Sequence, residues 1–144
     1  MQLRTFLENK GYIRIPLKKI TTGHYKISAK VNQIPGEFIV DTGASTSCIG
    51  FEDSLLFLLK NEESDIKAAG AGAINMQTQI AKNNTLVVGK NNSYKLDFIL
   101  FDMSHVNQAM EQVKEKKVNG IIGADFLKKT RAVIDYGRNC MYLK

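Results

Sequence analysis

The pattern of hydrophobic and polar positions predicts strands over much of the chain. Residues 25–31 alternate between apolar and polar side chains, which is the period of a strand with one buried face. A turn containing Pro35 and Gly36 follows, and residues 38–40 are then uninterruptedly apolar, as in a strand buried on both faces. Two hairpins are also predicted, one formed by 86–88 with 94–100 and the other by 132–135 with 140–143.

Three segments favour short helices. Residues 51–60 are rich in leucine and other good helix formers. Ser104 is a suitable capping residue for a helix whose apolar side chains recur at helical spacing through position 113. A short apolar strand at 121–123 leads into a further helix at 124–129. The pattern therefore predicts one β-rich domain with short helices.

Composition and charge narrow the functional classes. At 144 residues, 44% hydrophobic and 24% charged, the chain has the composition of one ordinary globular domain and not of a disordered protein. The net charge of +6 comes mostly from lysines spread singly, without a nucleic-acid-binding signature, so we expect no nucleic-acid partner. No apolar run is long enough to span a bilayer, and we expect no membrane partner.

The cysteines and histidines do not form a recognisable site. Cys48 and Cys140 provide no disulfide framework, which favours a cytoplasmic location, and both are expected to be small buried side chains. His24 and His105 are isolated, with no second ligand at metal-binding spacing, so no metal site is predicted.

Asp41 is the main candidate for chemistry. It directly follows an apolar strand, where an isolated carboxylate is costly, and it is followed by Thr42 and Gly43. A carboxylate in a tight, partly dry place is a catalytic candidate. The alternative is that Asp-Thr-Gly is only a turn, since Asp and Gly favour turns. The sequence context favours a site, because a glycine-rich segment at 68–73 and the apolar segment at 120–127 follow in order.

Two segments together resemble a known family. Residues 38–45 (Phe-Ile-Val-Asp-Thr-Gly-Ala-Ser) and 120–127 (Gly-Ile-Ile-Gly-Ala-Asp-Phe-Leu) are similar to the two signature segments of retropepsin-like aspartic proteases, and the resemblance extends over about residues 25–144. It implies an all-β fold with short helices: a closed barrel of the acid-protease type, with one lobe per chain, paired as a homodimer. Residues 1–23 would then be an N-terminal extension, either an extra strand or a leader removed by self-cleavage, before a protease domain at 24–144.

The resemblance also implies the activity and the site. The chain would be an aspartic endopeptidase that needs no cofactor and acts on peptides or proteins, with a water activated between two Asp41 carboxylates. The chain carries a single Asp-Thr-Gly, so each protomer of the dimer would supply one of them. Supporting positions follow from the same resemblance: Thr42, Gly43 and Ala44 in the catalytic loop, and Ile121, Ile122, Gly123 and Asp125 in a structural second motif. The final residues, 140–144, would contribute to the sheet between the protomers.

The glycine-rich segment matches the position of the flap in this family. Ala69, Gly70, Ala71, Gly72 and Ala73 would form the tip of a hairpin that closes over a bound peptide. An ordinary exposed hairpin is the alternative. The segment lacks a bulky residue at its tip, which leaves the contacts made on closure open.

Two other functions stay open. The same fold could be a peptide-binding or dimerisation module without hydrolysis, because a fold does not by itself establish an activity. The chain could also be a monomer that becomes active only on assembly with a partner or at high concentration.

The sequence also contains a weak internal repeat. Aligning Gly43 with Gly123 matches residues 40–44 with residues 120–124.

Overall fold

The structure, a computed structural model, describes residues 1–63, 68–70 and 73–144. The strands in chain order are β1 (Ile13–Pro16), β2 (Lys18–Lys19), β3 (Tyr25–Val31), β4 (Ile34–Val40), β5 (Cys48–Gly50), β6 (Glu62–Glu63), β7 (Ala68–Gly70), β8 (Ala73–Met76), β9 (Gln79–Val88), β10 (Asn92–Phe101), β11 (Gly120–Ile122), β12 (Val133–Asp135) and β13 (Cys140–Leu143). The α-helices are α1 (Leu3–Asn9), α2 (Ser104–Gln112) and α3 (Ala124–Lys129). No helix in these described stretches has the length and apolar character that crossing a membrane requires.

A closed barrel forms the body of the molecule. Within the described residues, its six strands follow the order β3-β4-β11-β5-β10-β9, and β9 pairs back onto β3 through Lys30–Val87 and Val31–Leu86. β2 and β6 extend the same sheet at the two sides. The expectation of an all-β fold with short helices and a closed barrel is confirmed.

The barrel interior holds the largest hydrophobic cluster. Its fully buried members come from nearly every strand of the ring and include Val31, Phe38, Leu86, Phe98 and Ile122. In the second half of β3, Ile27, Ala29 and Val31 are buried in this cluster while Ser28 and Lys30 are exposed, because a strand turns every second side chain to the same face.

A second sheet brings the two ends of the chain together. In the described part of the chain its order is β1-β13-β12, and both pairings are antiparallel. We call these strands the terminal sheet. One face packs on the barrel core through residues such as Ile15 and Met141, and the other is covered in part by Leu7 of α1, which clusters with Cys140 and Tyr142. Residues 1–23 thus contain a helix and two short strands.

The last strand lies in the middle of the terminal sheet, with β1 on one side and β12 on the other. Within the described residues, a second chain that extended this sheet would pair with β12 or β1 and not directly with β13. The contribution of residues 140–144 to a sheet between protomers stays a prediction.

The helix expected at 51–60 is wrong. The chain makes a 3₁₀ turn at Phe51–Asp53 and then further turns, with Leu58 at a φ of +58°. Phe57 and Leu59 are both buried, whereas Leu55 between the turns is 89% exposed. Side chains two residues apart lie on different faces of an α-helix, so this burial pattern requires an irregular chain.

The other two helices are confirmed, with one change at a cap. α2 begins at Ser104 and α3 at Ala124. The side chain that caps α2 belongs to Asp102, whose Oδ1 accepts hydrogen bonds from the Ser104 backbone N–H (2.8 Å) and from the Ser104 hydroxyl. These bonds hold the pKa of Asp102 below its usual range.

Candidate active site

The site is built where two neighbouring strands end. β4 and β11 are parallel, with Ile121 opposite Ile39 and Ile122 opposite Val40, so both chains leave the sheet at the same edge. The Asp41 backbone N–H donates to the Ile122 carbonyl (2.9 Å). The loop after β4 is therefore fixed against the end of β11.

Asp41 is half-buried in a tight turn. Its Oδ1 accepts from the Gly43 backbone N–H (2.8 Å), and its carbonyl accepts from the Ala44 N–H (3.2 Å). A side chain that bonds the backbone two residues on makes an Asx turn, so the turn geometry considered from the sequence is present. The same carboxylate also faces two cavities, described below, and this distinguishes it from an ordinary turn residue.

Thr42, Gly43 and Ala44 complete this loop. Thr42 is exposed and lines a shallow depression together with Ile134 of β12. A Cβ built on Gly43 would lie 3.2 Å from Asp41 Oδ1, so any side chain there would press on the carboxylate. The Ala44 carbonyl accepts from the Ala124 N–H (2.7 Å), which ties the loop to the start of α3.

The second motif, around Gly123 and Asp125, holds the loop after β4 in place. Asp125 accepts three hydrogen bonds: from the Ser47 hydroxyl (2.7 Å) and the Phe126 N–H (2.8 Å) at Oδ1, and from the Ser47 N–H (3.0 Å) at Oδ2. The Ser47 hydroxyl in turn accepts from the Gly123 N–H (2.9 Å). A Cβ on Gly123 would lie 2.7 Å from the Ala44 carbonyl oxygen and 2.8 Å from that of Thr46, so only glycine fits there.

A cavity of about 520 Å³ opens on one side of Asp41, and we call it the α2 cavity. Its exposed rim includes His24, His105 and Ala109, and its floor is apolar and buried. The floor and walls are formed by Ile39, Cys48, Phe101, Val106, Met110 and Ile121.

A second cavity of about 470 Å³ lies on the other side of Asp41. It is lined by Asp41 and Thr42 together with Leu17, Gly23, His24, Tyr25, Val40, Ile134 and Tyr136. Of the described residues, Asp41 is the only one that brings a carboxylate to either cavity. No group of three His, Cys, Asp or Glu side chains suited to a metal ion occurs among the residues that the structure describes.

With this geometry in place, comparison with protein families is decisive. Residues 27–126 match the family described as aspartyl protease, and this stretch contains both strand ends and the whole loop between them. The chain belongs to the aspartyl protease family.

Solved structures of this family share the fold. A retropepsin-like aspartic protease from Rickettsia conorii aligns with a TM-score of 0.57 at 20% identity, covering 92% of this chain and 91% of that one. The EIAV protease, solved in complex with the inhibitor HBY-793, aligns with a TM-score of 0.59 at 18% identity, covering 81% and 97%. The retroviral protease-like domain of Ddi1 from Leishmania major gives 0.52 at 18%, covering 83% and 86%. A search of curated proteins found no match.

The hairpin that the resemblance assigns to the flap is present in part. Ala69 and Gly70 lie in β7 and Ala73 in β8, and the two strands pair antiparallel with Gly70 opposite Ala73. Ala71 and Gly72 lie outside the described residues. The hairpin is thus confirmed for the described strands, and its function as a flap stays a prediction.

Sequence reasoning missed two parts of the site. Ser47 was not singled out, although its hydroxyl joins the two motifs and it is fully buried. Its signal in the sequence was its position directly before β5, where a buried serine needs hydrogen-bond partners. The residues of α2 that line the cavity were also missed, and their apolar stripe was the available signal.

Cys48 lines the α2 cavity but has little reactivity of its own. Its thiol donates to the Thr46 carbonyl (3.3 Å). Burial is the main cause that raises the pKa of the Cys48 thiol to about 11, and the nearby Asp125 and Asp41 carboxylates raise it further. Since the thiolate is the reactive form, the thiol at this position is a packing group at neutral pH.

Proposed function

We propose that this chain is an aspartic endopeptidase whose active form is a homodimer with one Asp41 from each protomer. The observation that carries the proposal is that Asp41, where β4 ends, is the one described residue that brings a carboxylate to the cavities on its two sides. Aspartic proteolysis needs two carboxylates that share one proton, because two adjacent charges cannot both ionise cheaply. The second has to come from another copy.

The reaction follows from such a pair. One carboxylate takes a proton from a water held between the two, and the water oxygen attacks the carbonyl carbon of the peptide bond. The protonated partner donates a hydrogen bond to the carbonyl oxygen as charge develops there. When the tetrahedral intermediate collapses, the proton passes to the leaving nitrogen and the carbon–nitrogen bond breaks. The titration of such a dyad belongs to the pair and not to either residue.

The surface beside Asp41 suits the pairing of two copies. Within the described residues, the outer edge of β12 has no strand paired to it. Ile134 of this strand lines depressions together with Thr42, so the free edge and the Asp41 loop are on one side of the molecule. A partner that extends the sheet at β12 would bring its own loop to the same place. Thr42 would then face its counterpart across the two-fold axis.

The cavities suit an extended peptide. A substrate that passes Asp41 can place one side chain in the α2 cavity, whose buried floor is apolar. The hairpin of β7 and β8, including positions 69–73, would cover the peptide and exclude water. In this proposal Thr42, Gly43 and Ala44 hold the catalytic loop, and Ile121, Ile122, Gly123 and Asp125 form its support.

Digestion of a peptide library from acidic to neutral pH, read by mass spectrometry, tests the proposal. Wild-type protein should cleave, and Asp41→Asn should lower the rate by on the order of 10³-fold because one partner of the dyad can no longer exchange its proton. Asp97→Asn is the matched control, because the Asp97 Oδ1 only accepts from the Asn83 N–H (2.8 Å) and the amide keeps an acceptor.

The outcomes separate the proposal from its alternative. Equal cleavage by Asp41→Asn and wild type would contradict a catalytic role for Asp41. If the wild type binds peptides and cleaves none across this pH range, the chain is a binding module on the protease fold.

A further inference from the structure

Both histidines of this chain lie at the entrance of the same cavity. The sequence contains two histidines, His24 and His105, which are far apart along the chain. His24 directly precedes β3 and His105 is the second residue of α2, and both exposed side chains line the α2 cavity together with Asp41. His24 also lines the second cavity beside Asp41. A peptide that passes Asp41 in the proposed enzyme therefore also passes two imidazoles.

The turn that carries His24 is attached to α2 and to the segment after it. The His24 carbonyl accepts from the Ile20 backbone N–H (2.9 Å). Ile20 is buried in a hydrophobic cluster that also contains Met110 of α2. Glu115, three residues after the end of α2, accepts from the Thr21 backbone N–H (2.9 Å) and from the Thr21 hydroxyl. These contacts fix the His24 side of the cavity against the α2 side.

Both imidazole rings retain nitrogens that a ligand can reach. Nδ1 of His24 lies 2.7 Å from the Thr22 hydroxyl oxygen. Among the described residues, Nε2 of His24 and the ring nitrogens of His105 make no hydrogen bond. Charged histidine donates from both nitrogens, so the Thr22 hydroxyl can accept from Nδ1 of His24 while Nε2 donates to a ligand.

These two histidines are the source of positive charge at the α2 cavity. The chain has 20 Lys and Arg residues, yet none of those that the structure describes lines this cavity. Histidine gains its charge as the pH falls from about 8 to about 5. At acidic pH the cavity therefore combines an apolar floor with a cationic rim.

The acidic group beside His105 is bound outside the cavity. Asp102 is close enough to be attracted by a charge on His105, but hydrogen bonds from Ser104 are the main cause of its lowered pKa. Its Oδ1 accepts from the Ser104 backbone N–H (2.8 Å) and from the Ser104 hydroxyl. Asp102 is fully exposed and does not line the α2 cavity, so solvent screens its attraction for His105.

The acidic group bound to the His24 turn also has partners elsewhere. The pKa of Glu115 is lowered mainly by its hydrogen bonds from Thr21, and further by the charges of Lys26 and Lys18. Glu115 does not line the α2 cavity. The other titratable groups that line a cavity together with His24 are the Asp41 carboxylate, the Cys48 thiol and the phenols of Tyr25 and Tyr136. A dyad that shares one proton carries one negative charge, whereas each protomer supplies two imidazoles.

We propose that His24 and His105 make the α2 cavity selective for a substrate side chain that ends in a carboxylate, such as glutamate. This selection rests on the proposed function and names the side chain that the peptide places beside Asp41. The methylene groups lie on the apolar floor, and the carboxylate accepts charge-assisted hydrogen bonds from the imidazoles at the rim. The selection is present at acidic pH and is lost as the histidines lose their charge.

Competition between peptides that differ only by Glu or Gln tests the selection. The pair is placed in turn at each position around the scissile bond, and both peptides are digested in one tube. At about pH 5.5, where glutamate is ionised, one position should favour Glu by about tenfold in kcat/KM. At about pH 8 the preference should fall below about twofold. A ratio measured in one tube cancels the titration of the dyad, which acts on both peptides alike.

Variants of the two histidines assign the selection to the rim. His24→Gln and His105→Gln each retain a hydrogen-bonding side chain that cannot become charged. Each should lower the Glu preference at about pH 5.5 to roughly threefold, and the double variant should abolish it. Lys30→Gln is the matched control, because it removes a positive charge from an exposed position of β3 that lines neither cavity beside Asp41. It should leave the preference as in wild type.

The possible results separate this selection from the proposed function. Cleavage without a Glu preference at any position, or a preference kept in the double variant, would overturn the selection and leave a protease. If the wild type cleaves neither peptide, the proposed function fails, and the Kd of each peptide for the wild type and the double variant decides the selection at both pH values. Tighter binding of the Glu peptide at about pH 5.5 that the double variant loses would support it. Equal Kd values, or no binding, would overturn it.

Discussion

The ends of β4 and β11 are alike in position and different in chemistry. Both strands are parallel, adjacent and finish at one edge of the barrel, yet β4 leads to a carboxylate at Asp41 and β11 leads to Gly123. The first end faces two cavities. The second is packed under the Ala44 and Thr46 carbonyls with no room for a side chain. One strand end therefore presents a carboxylate to the cavities, and the other fixes its position. In the proposed dimer each chain would supply one half of the dyad.

The glycines at these two ends should respond differently to a methyl group. Gly123→Ala places a Cβ against two backbone oxygens that cannot move independently, and we expect it to lower the free energy of unfolding by about 3 kcal/mol. Gly43→Ala meets only Asp41 Oδ1 at 3.2 Å, so stability should change by less than about 0.5 kcal/mol while peptide cleavage falls. Urea unfolding and cleavage rates measure the two effects. Equal loss of stability in both variants would show that the two ends are packed alike.

The Ser47 hydroxyl, which joins the loops that follow β4 and β11, provides the next test. Ser47→Ala removes the bonds to Asp125 and to the Gly123 N–H and should cost about 1 to 2 kcal/mol of unfolding free energy. Ser45→Ala, at an exposed position two residues earlier, is the control and should have little effect. If Ser47→Ala unfolds at the same urea concentration as the control, this network does not stabilise the site.

The preference for substrate side chains tests the role of the α2 cavity. Val106→Phe fills part of the α2 cavity and should shift cleavage in a peptide library toward smaller side chains by about tenfold, the effect of one or two methylene groups in an apolar pocket. Gln108→Phe adds the same ring to an exposed position of the same helix that does not line the cavity. An unchanged preference in Val106→Phe, or the same shift in both variants, would remove the α2 cavity from substrate recognition.

The last prediction concerns the reactivity of Cys48, which lies near the acids of both motifs. With its pKa raised from 9.0 to about 11, the thiol stays protonated at pH 8, and the raised pKa alone should slow iodoacetamide labelling about 100-fold relative to an unperturbed thiol. Labelling should accelerate only as the pH rises toward 11. Mass spectrometry of the Cys48 peptide measures the rate. Rapid modification at pH 8 would mean that the thiol is not held in its protonated form.

The sequence predicted most of what depends on local pattern. The alternation in β3 and the apolar run before Asp41 identified two barrel strands, and the order of the two motifs identified the family. At residues 51–60 the leucine content favoured a helix. It could not indicate that Phe57 and Leu59 are both buried, because that burial depends on distant strands.

The parts that could not be predicted depend on long-range pairing. Closure of the barrel through β3 and β9, and the central position of β13, join segments far apart in the chain. The α2 cavity likewise combines His24, Phe101 and Met110 with Asp41. The hydrophobic periodicity of a single segment cannot predict these contacts, because they form only when the sheet closes.

The most direct test of the central claim is a mixing experiment. Wild-type and Asp41→Asn chains are combined in equal amounts at constant total concentration, allowed to exchange subunits, and assayed for peptide cleavage. If each active unit needs an Asp41 from both protomers, activity falls to about one quarter of that of the same total amount of wild type, since only that share of dimers has two carboxylates. A fall to about one half would show that each chain works by itself, and would contradict the shared dyad.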